Sequence, residues 1–204
     1  MSEIQSNKEL LDKETGKMGM WIFLFTEMFL FGGLFLVYAV FRTKYSADFH
    51  TAASELNTFI GTLNTVFLLT SSMTVAMSLT AIQKNSPKLA FFLVFATLLL
   101  AALFMVNKYI EWSHKFEFGI FPGSPVLKNM GRGELLFFGL YYMMTGLHAL
   151  HVLVGMVLLS VNLVKIKLGR VNPRHYLLLE NSALYWHLVD LIWIFLFPLL
   201  YLIT

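Results

Sequence analysis

Hydrophobic residues occur along the chain in five long runs separated by short polar connections, and the runs lie near 18–41, 56–82, 89–110, 135–164 and 176–203. Each run exceeds the roughly 20 residues that a helix needs to cross about 30 Å of hydrocarbon. The runs do not alternate with a period of two, and they are far longer than barrel strands, so helices are favoured over a β-barrel. The pattern predicts an all-α, polytopic membrane protein with a bundle of five transmembrane helices.

Composition agrees with this class, since 57% of the 204 residues are hydrophobic and only 13% are charged. Such values exclude an ordinary soluble domain. Residues 1–17 are polar and mixed in charge, and they lack the apolar core and cleavage site of a secretory signal. We therefore expect a cytoplasmic segment over 1–17, followed by one transmembrane domain over 18–204 whose first run is kept as an anchor.

Lysine and arginine are unevenly distributed between the two sets of connections. Nine lie on the side of the N-terminus and five on the other side, and Lys108 near the end of the third run is unassigned. The nine are Lys8, Lys13, Lys17, Lys84, Lys88, Lys165, Lys167, Arg170 and Arg174, and the five are Arg42, Lys44, Lys115, Lys128 and Arg132. This bias predicts a cytoplasmic N-terminus and an outside C-terminus. The basic residues form no tract that would indicate nucleic-acid binding.

Ionisable residues interrupt the apolar runs at a few positions. The last run carries Glu180, His187 and Asp190, and the first run carries Glu27 among aromatic residues. Each such group costs about 2.5 to 3.5 kcal/mol at bilayer depth, so it needs a partner or a function. Glu180 and His187 are seven residues apart and share one helix face. Glu27 is either an acid that exchanges protons or contacts lipid or another subunit, or a neutral acid hydrogen-bonded to a neighbouring helix.

Histidines are candidates for metal ligation, but their spacing argues against it. His148 and His151 lie on one face, whereas a haem takes axial ligands from opposite sides of its plane. A di-iron bundle takes two Glu-x-x-His elements and two further glutamates, and the five predicted spans do not contain that set. The absence of cysteine excludes thiolate sites and iron–sulfur clusters. We therefore expect no metal and no cofactor in this chain, and metal binding by His148, His151 and His187 is the minor alternative.

Polar groups in the spans more readily explain helix packing. Small and hydroxyl side chains fill the second run, among them Asn64, Thr65, Ser71 and Ser72, and such residues allow close helix approach and interhelical bonds. Trp186 and Trp193 are further packing candidates on the last run. We hypothesise that one hydrogen-bonded cluster contains Glu27, His148, His151, Glu180 and His187, with Asp190 nearby, because each would otherwise be unsatisfied in hydrocarbon.

Four stretches, in order, resemble subunit III of the haem-copper cytochrome oxidases. Residues 19–32 are similar to the helix that holds the family's buried, carbodiimide-reactive glutamate, here Glu27. Residues 63–72 and 145–155 match the next polar helix and the penultimate helix. Residues 185–197, preceded by His175 and Glu180, match the final helix. The resemblance covers nearly the whole membrane portion.

This resemblance implies an accessory, non-redox subunit of a terminal oxidase that oxidises cytochrome c or quinol, reduces O2 to water and translocates protons in aerobic respiration. Such a subunit binds no haem or copper, which belong to partner subunits, and the isolated chain is expected to be non-catalytic. It packs mainly against subunit I, stabilises it and keeps proton uptake fast.

Five helices resemble the short bacterial form, which implies the bacterial inner membrane. Longer members of the family have seven helices, and structural phospholipids sit in the cleft between the first two and the other five. Structural phospholipid is therefore possible here, although a cleft of the same shape is not expected.

Two alternatives stay open. The homologous accessory subunit of a bacterial nitric oxide reductase has five helices and similar motifs, and gene neighbours or copurifying haems would separate it from an oxidase subunit. An independent transporter or membrane metalloenzyme is the other. Transporters commonly show inverted repeats and interrupted helices, but we find no repeat, and the only proline well inside a run is Pro198 near its end.

Overall fold

The computed structural model describes residues 2–173 and 176–203, and for residues 2–13 it describes only the helical backbone. Arg174 and His175, used above for orientation and for the resemblance, lie outside the described residues. The described chain is helical and contains no β-strand. The helices are α1 (Ser2–Lys44), α2 (Ser46–Ser54), α3 (Thr58–Gln83), α4 (Pro87–Glu117), α5 (Pro125–Asn129), α6 (Arg132–Lys167) and α7 (Leu177–Tyr201).

Five helices among the described residues are long and apolar enough to cross a membrane, which confirms the predicted fold class. They are α3, α4, α6, α7 and the part of α1 over Glu14–Lys44. The polar segment expected over 1–17 is continuous with α1 from Ser2 onwards. The short helices α2 and α5 lie in connections and were not predicted. The sidedness of the termini stays a prediction.

The third span differs from its predicted bounds. The hydrophobic run ends near 110, but α4 continues to Glu117. Charged residues end the apolar pattern there, yet Glu111 and Lys115 are buried inside the bundle rather than exposed in a connection. The helix continues because polar side chains in this last part of α4 have neighbours on other helices.

Local sequence signals define several helix ends. The side chain of Asn57 accepts hydrogen bonds from the backbone N–H groups of Phe59 and Ile60 at 3.0 and 3.2 Å and so caps α3. Pro87 occupies the first turn of α4, where a missing N–H costs nothing. Gly169 ends α6 with a φ of 67°, a left-handed conformation that glycine adopts without steric cost.

Helix α7 is the most buried span. Of its most apolar window 56% is buried, against 11% for α1, and α7 contacts α1, α2, α3 and α6. The approach of α6 to α7 is close at Gly155, where an added Cβ would lie 2.6 Å from Cε3 of Trp186. Absence of a side chain at this position lets the Trp186 ring approach the α6 backbone closely.

Candidate functional site

Glu27 and His151 form a hydrogen-bonded pair between α1 and α6. Nε2 of His151 lies 2.8 Å from the carboxyl oxygen Oε2 of Glu27, and only 8% and 14% of the two side chains are exposed. The ring of Phe31 packs edge-on against the imidazole at 5.4 Å between centroids. Two members of the cluster hypothesised from the sequence are thus direct partners.

The second ring nitrogen of His151 determines what this pair can do chemically. Nδ1 lies 2.7 Å from the carbonyl oxygen of Leu147, and a carbonyl only accepts, so Nδ1 carries a hydrogen. One proton then lies between Nε2 and Glu27, held either by the carboxyl or by the imidazole. The pair can therefore exchange a proton without movement of either helix.

Glu180 lies elsewhere, at the start of α7. Its Oε1 accepts a hydrogen bond from Nζ of Lys17 at 2.7 Å, which joins the beginnings of α7 and α1. The Lys17 side chain is 45% exposed, so this ion pair is open to the surroundings. Such pairs contribute modestly to stability.

His187 and Asp190 face α3. Nδ1 of His187 lies 2.6 Å from the hydroxyl oxygen of Ser72, and the Asp190 carboxyl lies in the neighbourhood of the same hydroxyl. By geometry, neither carboxyl oxygen of Asp190 has a hydrogen-bond partner among the described residues, although the side chain is buried. Burial without a partner favours the neutral carboxylic acid over the carboxylate.

His148 is fully buried in an aromatic environment. Its ring packs against Phe104 and Trp193 at 5.6 and 5.2 Å between centroids. Neither ring nitrogen has a hydrogen-bond partner among the described residues. The imidazole here fills space between α4, α6 and α7.

One hydrogen-bonded cluster, as hypothesised from the sequence, does not form among the described residues. Glu27 bonds His151, whereas Glu180 bonds Lys17 and His187 bonds Ser72. The partners of Glu27, Glu180 and His187 lie on α6, α1 and α3, while His148 and Asp190 have no hydrogen-bond partner among the described residues. Sharing a face on one helix therefore did not imply sharing a partner.

A larger polar network near one end of the bundle was missed by the sequence analysis. Nζ of Lys108 on α4 donates to Oε2 of Glu111 at 3.2 Å and to the hydroxyl oxygens of Tyr201 at 2.7 Å and Tyr141 at 3.3 Å. Both tyrosine hydroxyls donate to Oε1 of Glu111 at 2.6 Å. These four residues form a closed network that joins α4, α6 and α7.

Burial makes this network energetically significant. The side chains of Lys108 and Glu111 are 3% and 4% exposed, and the ring of Trp193 lies 5.3 Å from the ammonium. The sequence did contain a signal, because Lys108 and Glu111 are three residues apart and so lie on one helix face. Ending the predicted run at 110 placed Lys108 inside the span and Glu111 outside it, so their relationship was not recognised.

Hydroxyl and amide groups of α3 bond to neighbouring helices. The indole N–H groups of Trp186 and Trp193 donate to the hydroxyls of Ser71 at 2.9 Å and Thr65 at 3.0 Å. Oδ1 of Asn64 accepts from Nδ2 of Asn107 on α4 at 3.0 Å. The polar residues of the second run therefore connect α3 to both α7 and α4.

No group of three His, Asp or Glu side chains suited to hold a metal ion occurs in the part of the chain that the structure describes. Five membrane-length helices cross-linked by buried side-chain hydrogen bonds define a polytopic α-helical membrane protein. The family model for cytochrome c oxidase subunit III matches residues 2–204. The chain therefore belongs to the cytochrome c oxidase subunit III family, as the four sequence stretches indicated.

The relatives include proteins named as subunits of cytochrome c oxidases and of a ubiquinol oxidase. Cytochrome c oxidase subunit 3 of Thermostichus vulcanus is 30% identical over 92% of this chain and 87% of its own length. Cytochrome bo(3) ubiquinol oxidase subunit 3 of Buchnera aphidicola is 29% identical over 90% of this chain and 92% of its own length. A heme-copper oxidase subunit I+III of Aeropyrum pernix is 27% identical over 94% of this chain, which matches 23% of that longer protein.

Proposed function

We propose that this chain is the accessory, non-redox subunit III of a haem-copper terminal oxidase in aerobic respiration, and that it packs mainly against subunit I. The observation that carries the proposal is the match along the chain to a protein named as a fusion of subunits I and III. Covalent fusion requires the two parts to fit in one polypeptide, which supports direct contact between the separate subunits.

Surface properties of α1 agree with a role in packing. Only 11% of its apolar window is buried within the chain, so most of that helix is available for lipid or for another subunit. Haems and copper belong to the partner subunits in this proposal, and the isolated chain is non-catalytic. Its contribution is to stabilise subunit I.

Support for proton uptake is assigned to the Glu27–His151 pair. Its two groups lie 2.8 Å apart and share one proton, and 14% of the Glu27 side chain is exposed. A pair of this kind can accept and release a proton near the surface of the partner. The Lys108 network, by contrast, is enclosed and serves stability.

Localisation in the bacterial inner membrane, with the N-terminus in the cytoplasm and the C-terminus outside, completes the proposal. Because this sequence contains no cysteine, single introduced cysteines can report sidedness without labelling elsewhere in these 204 residues. A membrane-impermeant maleimide applied to intact sphaeroplasts should label His50→Cys in the first outside connection and spare Lys84→Cys in the first inside one. The reverse pattern would refute the orientation.

Copurification tests the function itself. The tagged chain is extracted in mild detergent, and its partners and haems are identified by mass spectrometry and visible spectra. We expect an oxidase subunit I with its haems, phospholipid, and either a cytochrome c or a quinol oxidase composition. A nitric oxide reductase as the partner would favour the alternative family branch, and purification without any haem protein would reject the accessory role.

A further inference from the structure

A cavity of about 630 Å³ opens where the start of α3, the end of α4 and the connection from α4 to α6 meet. Its apolar wall includes Ile60, Phe118 and Met130, and its polar wall includes Lys115 and Glu55. None of the residues predicted as site residues lines this cavity, and it is separate from the Glu27–His151 pair.

Lys115 is the unusual member of the lining. Its side chain is 7% exposed overall, and its ammonium forms no hydrogen bond or ion pair with any residue that the structure describes. The rings of Phe138 and Tyr141 hold Nζ at 5.4 and 5.8 Å from their centroids. A buried ammonium without an acceptor is costly, so an anion that enters the cavity would be bound favourably.

The carboxylates near Lys115 leave it available. Glu111 also lines the cavity, but its oxygens accept from Lys108, Tyr141 and Tyr201. Glu55 lines the same cavity and attracts the Lys115 ammonium, but the two groups form no ion pair, so one negative and one positive group line a shared space without direct contact. That arrangement fits a zwitterion whose anionic end meets Lys115 and whose cationic end meets Glu55.

Depth in the membrane identifies the kind of zwitterion. Lys115 lies two residues before the end of α4, about 3 Å along the helix axis at about 1.5 Å per residue. Asn57, which also lines the cavity, caps the start of α3. The polar wall therefore lies at the boundary of the bilayer, where lipid headgroups lie, and the apolar wall extends towards the hydrocarbon.

We propose that this cavity binds the headgroup of an aminophospholipid, with the phosphate on Lys115 and the ammonium beside Glu55. This inference rests on the proposed function, which places the chain in a membrane and expects phospholipid to copurify but names no residues that bind it. Free phosphate shares the anionic chemistry but lacks the ammonium and the acyl chains that fit Glu55 and the apolar wall.

Photocrosslinking gives a site-resolved test. The full chain, purified with its partners, is placed in vesicles of equal phosphatidylethanolamine and phosphatidylglycerol that contain a trace of photoactivatable phosphatidylethanolamine. Labelled peptides are then mapped by mass spectrometry. We expect labelling within 55–60 and 114–130, and a drop of roughly tenfold in Lys115→Met, which corresponds to about 1.4 kcal/mol.

Matched variants separate charge, shape and folding. Lys128→Met removes an exposed lysine from the same connection and should leave labelling unchanged. Glu55→Gln should reduce the preference for phosphatidylethanolamine over phosphatidylglycerol, while Lys115→Arg keeps the cation and should retain labelling. Ile60→Trp fills the cavity from its apolar side, so it tests occupancy even if Lys115→Met does not fold.

Several outcomes would overturn the inference. One is that Lys115→Met and Ile60→Trp are labelled as strongly as the unsubstituted protein. Others are that inorganic phosphate alone competes away the labelling, or that a partner subunit is crosslinked in the cavity in place of lipid. Haem copurification is measured on the same preparations. If the haem partners are lost and the lipid labelling is intact, the proposed function alone is contradicted. If the haem partners are retained and the labelling is absent, the lipid site alone is contradicted.

Discussion

The carboxyl of Glu27 and the imidazole of His151 lie 2.8 Å apart between α1 and α6, although 124 residues separate them in sequence. Because α1 is the least buried span, this bond is one of few polar contacts that hold it to the rest of the chain. The pair therefore links α1 to α6 through one shared proton.

We expect Glu27→Ala to leave the haem spectrum of the purified complex intact and to weaken assembly or durability during turnover. An interhelical hydrogen bond in a membrane is worth about 0.6 to 2 kcal/mol, which is enough to loosen α1 without unfolding the bundle. The measurements are visible spectra and the decay of oxygen consumption over repeated turnover. Glu14→Ala, an exposed glutamate on the same helix, is the control. Loss of the haem signal with the subunit still bound would contradict the prediction.

Substitutions in the Lys108 network should lower the stability of the protein more than Glu27→Ala does. Glu111→Gln removes the carboxylate that compensates a buried ammonium, and breaking one side of a buried pair costs about 3 to 5 kcal/mol. Equilibrium unfolding in mixed micelles, followed by tryptophan fluorescence, measures the loss. Glu117→Gln, whose side chain is 75% exposed, should change little.

A second substitution distinguishes charge from packing in that network. Lys108→Met in the Glu111→Gln background removes the uncompensated ammonium and should restore part of the lost stability. If the double variant is less stable than Glu111→Gln alone, the stabilisation comes from the shape and hydrogen bonds of Lys108 and not from charge compensation.

Because α6 packs closely on α7 at Gly155, adding one methyl group there should lower the stability of the protein substantially. Gly155→Ala would place Cβ 2.6 Å from the Trp186 ring, and overpacking of this kind costs about 1 to 3 kcal/mol. Gly139→Ala on the same helix meets nothing within 4 Å and should be neutral. Thermal unfolding of the two variants in one detergent compares them directly. Equal stability of both would show that the helices separate easily at Gly155.

The bond from Trp186 to Ser71 predicts a smaller effect. Ser71→Ala leaves the indole N–H without its acceptor at 2.9 Å, and we expect a loss of about 1 to 2 kcal/mol together with a shift of tryptophan emission. Ser160→Ala, an exposed hydroxyl that bonds only its own helix through the Met156 carbonyl, is the matched control. An unchanged unfolding curve for Ser71→Ala would assign the packing of α3 on α7 to apolar contacts alone.

Hydrophobic runs predicted the five spans well because crossing a bilayer demands a long, uninterrupted apolar segment. Glu27 and His151 were both placed in one hypothesised cluster, but the sequence did not single out the hydrogen bond between these two. A sequence gives the face of each helix on which a residue lies, whereas the partner depends on which helices are neighbours. The same limit led to the expectation of a single cluster with Glu180 and His187.

Lys108 and Glu111 illustrate a different limit. Charge near the end of an apolar run is the usual sign that a span has ended, so the run was closed at 110 and Glu111 was assigned to a connection. Tyrosines from α6 and α7 supply the hydrogen bonds that keep this charge inside the bundle. Since those tyrosines come from distant parts of the chain, local pattern could not reveal the network.

The contacts of α1 also constrain the order in which the protein can be built. Lys17, Glu27 and Tyr38 bond Glu180, His151 and the Leu199 carbonyl, so every partner is synthesised more than 120 residues after the group it satisfies. Glu27 can therefore pair with His151 once α6 has been inserted, whereas Lys17 and Tyr38 have no partner until α7 follows. The Asn181 amide, which donates to the Gly16 carbonyl, adds another bond that only α7 supplies. A chain stalled before α7 would lack all three of these bonds, so the insertion of α7 is the step that fastens α1 to the bundle.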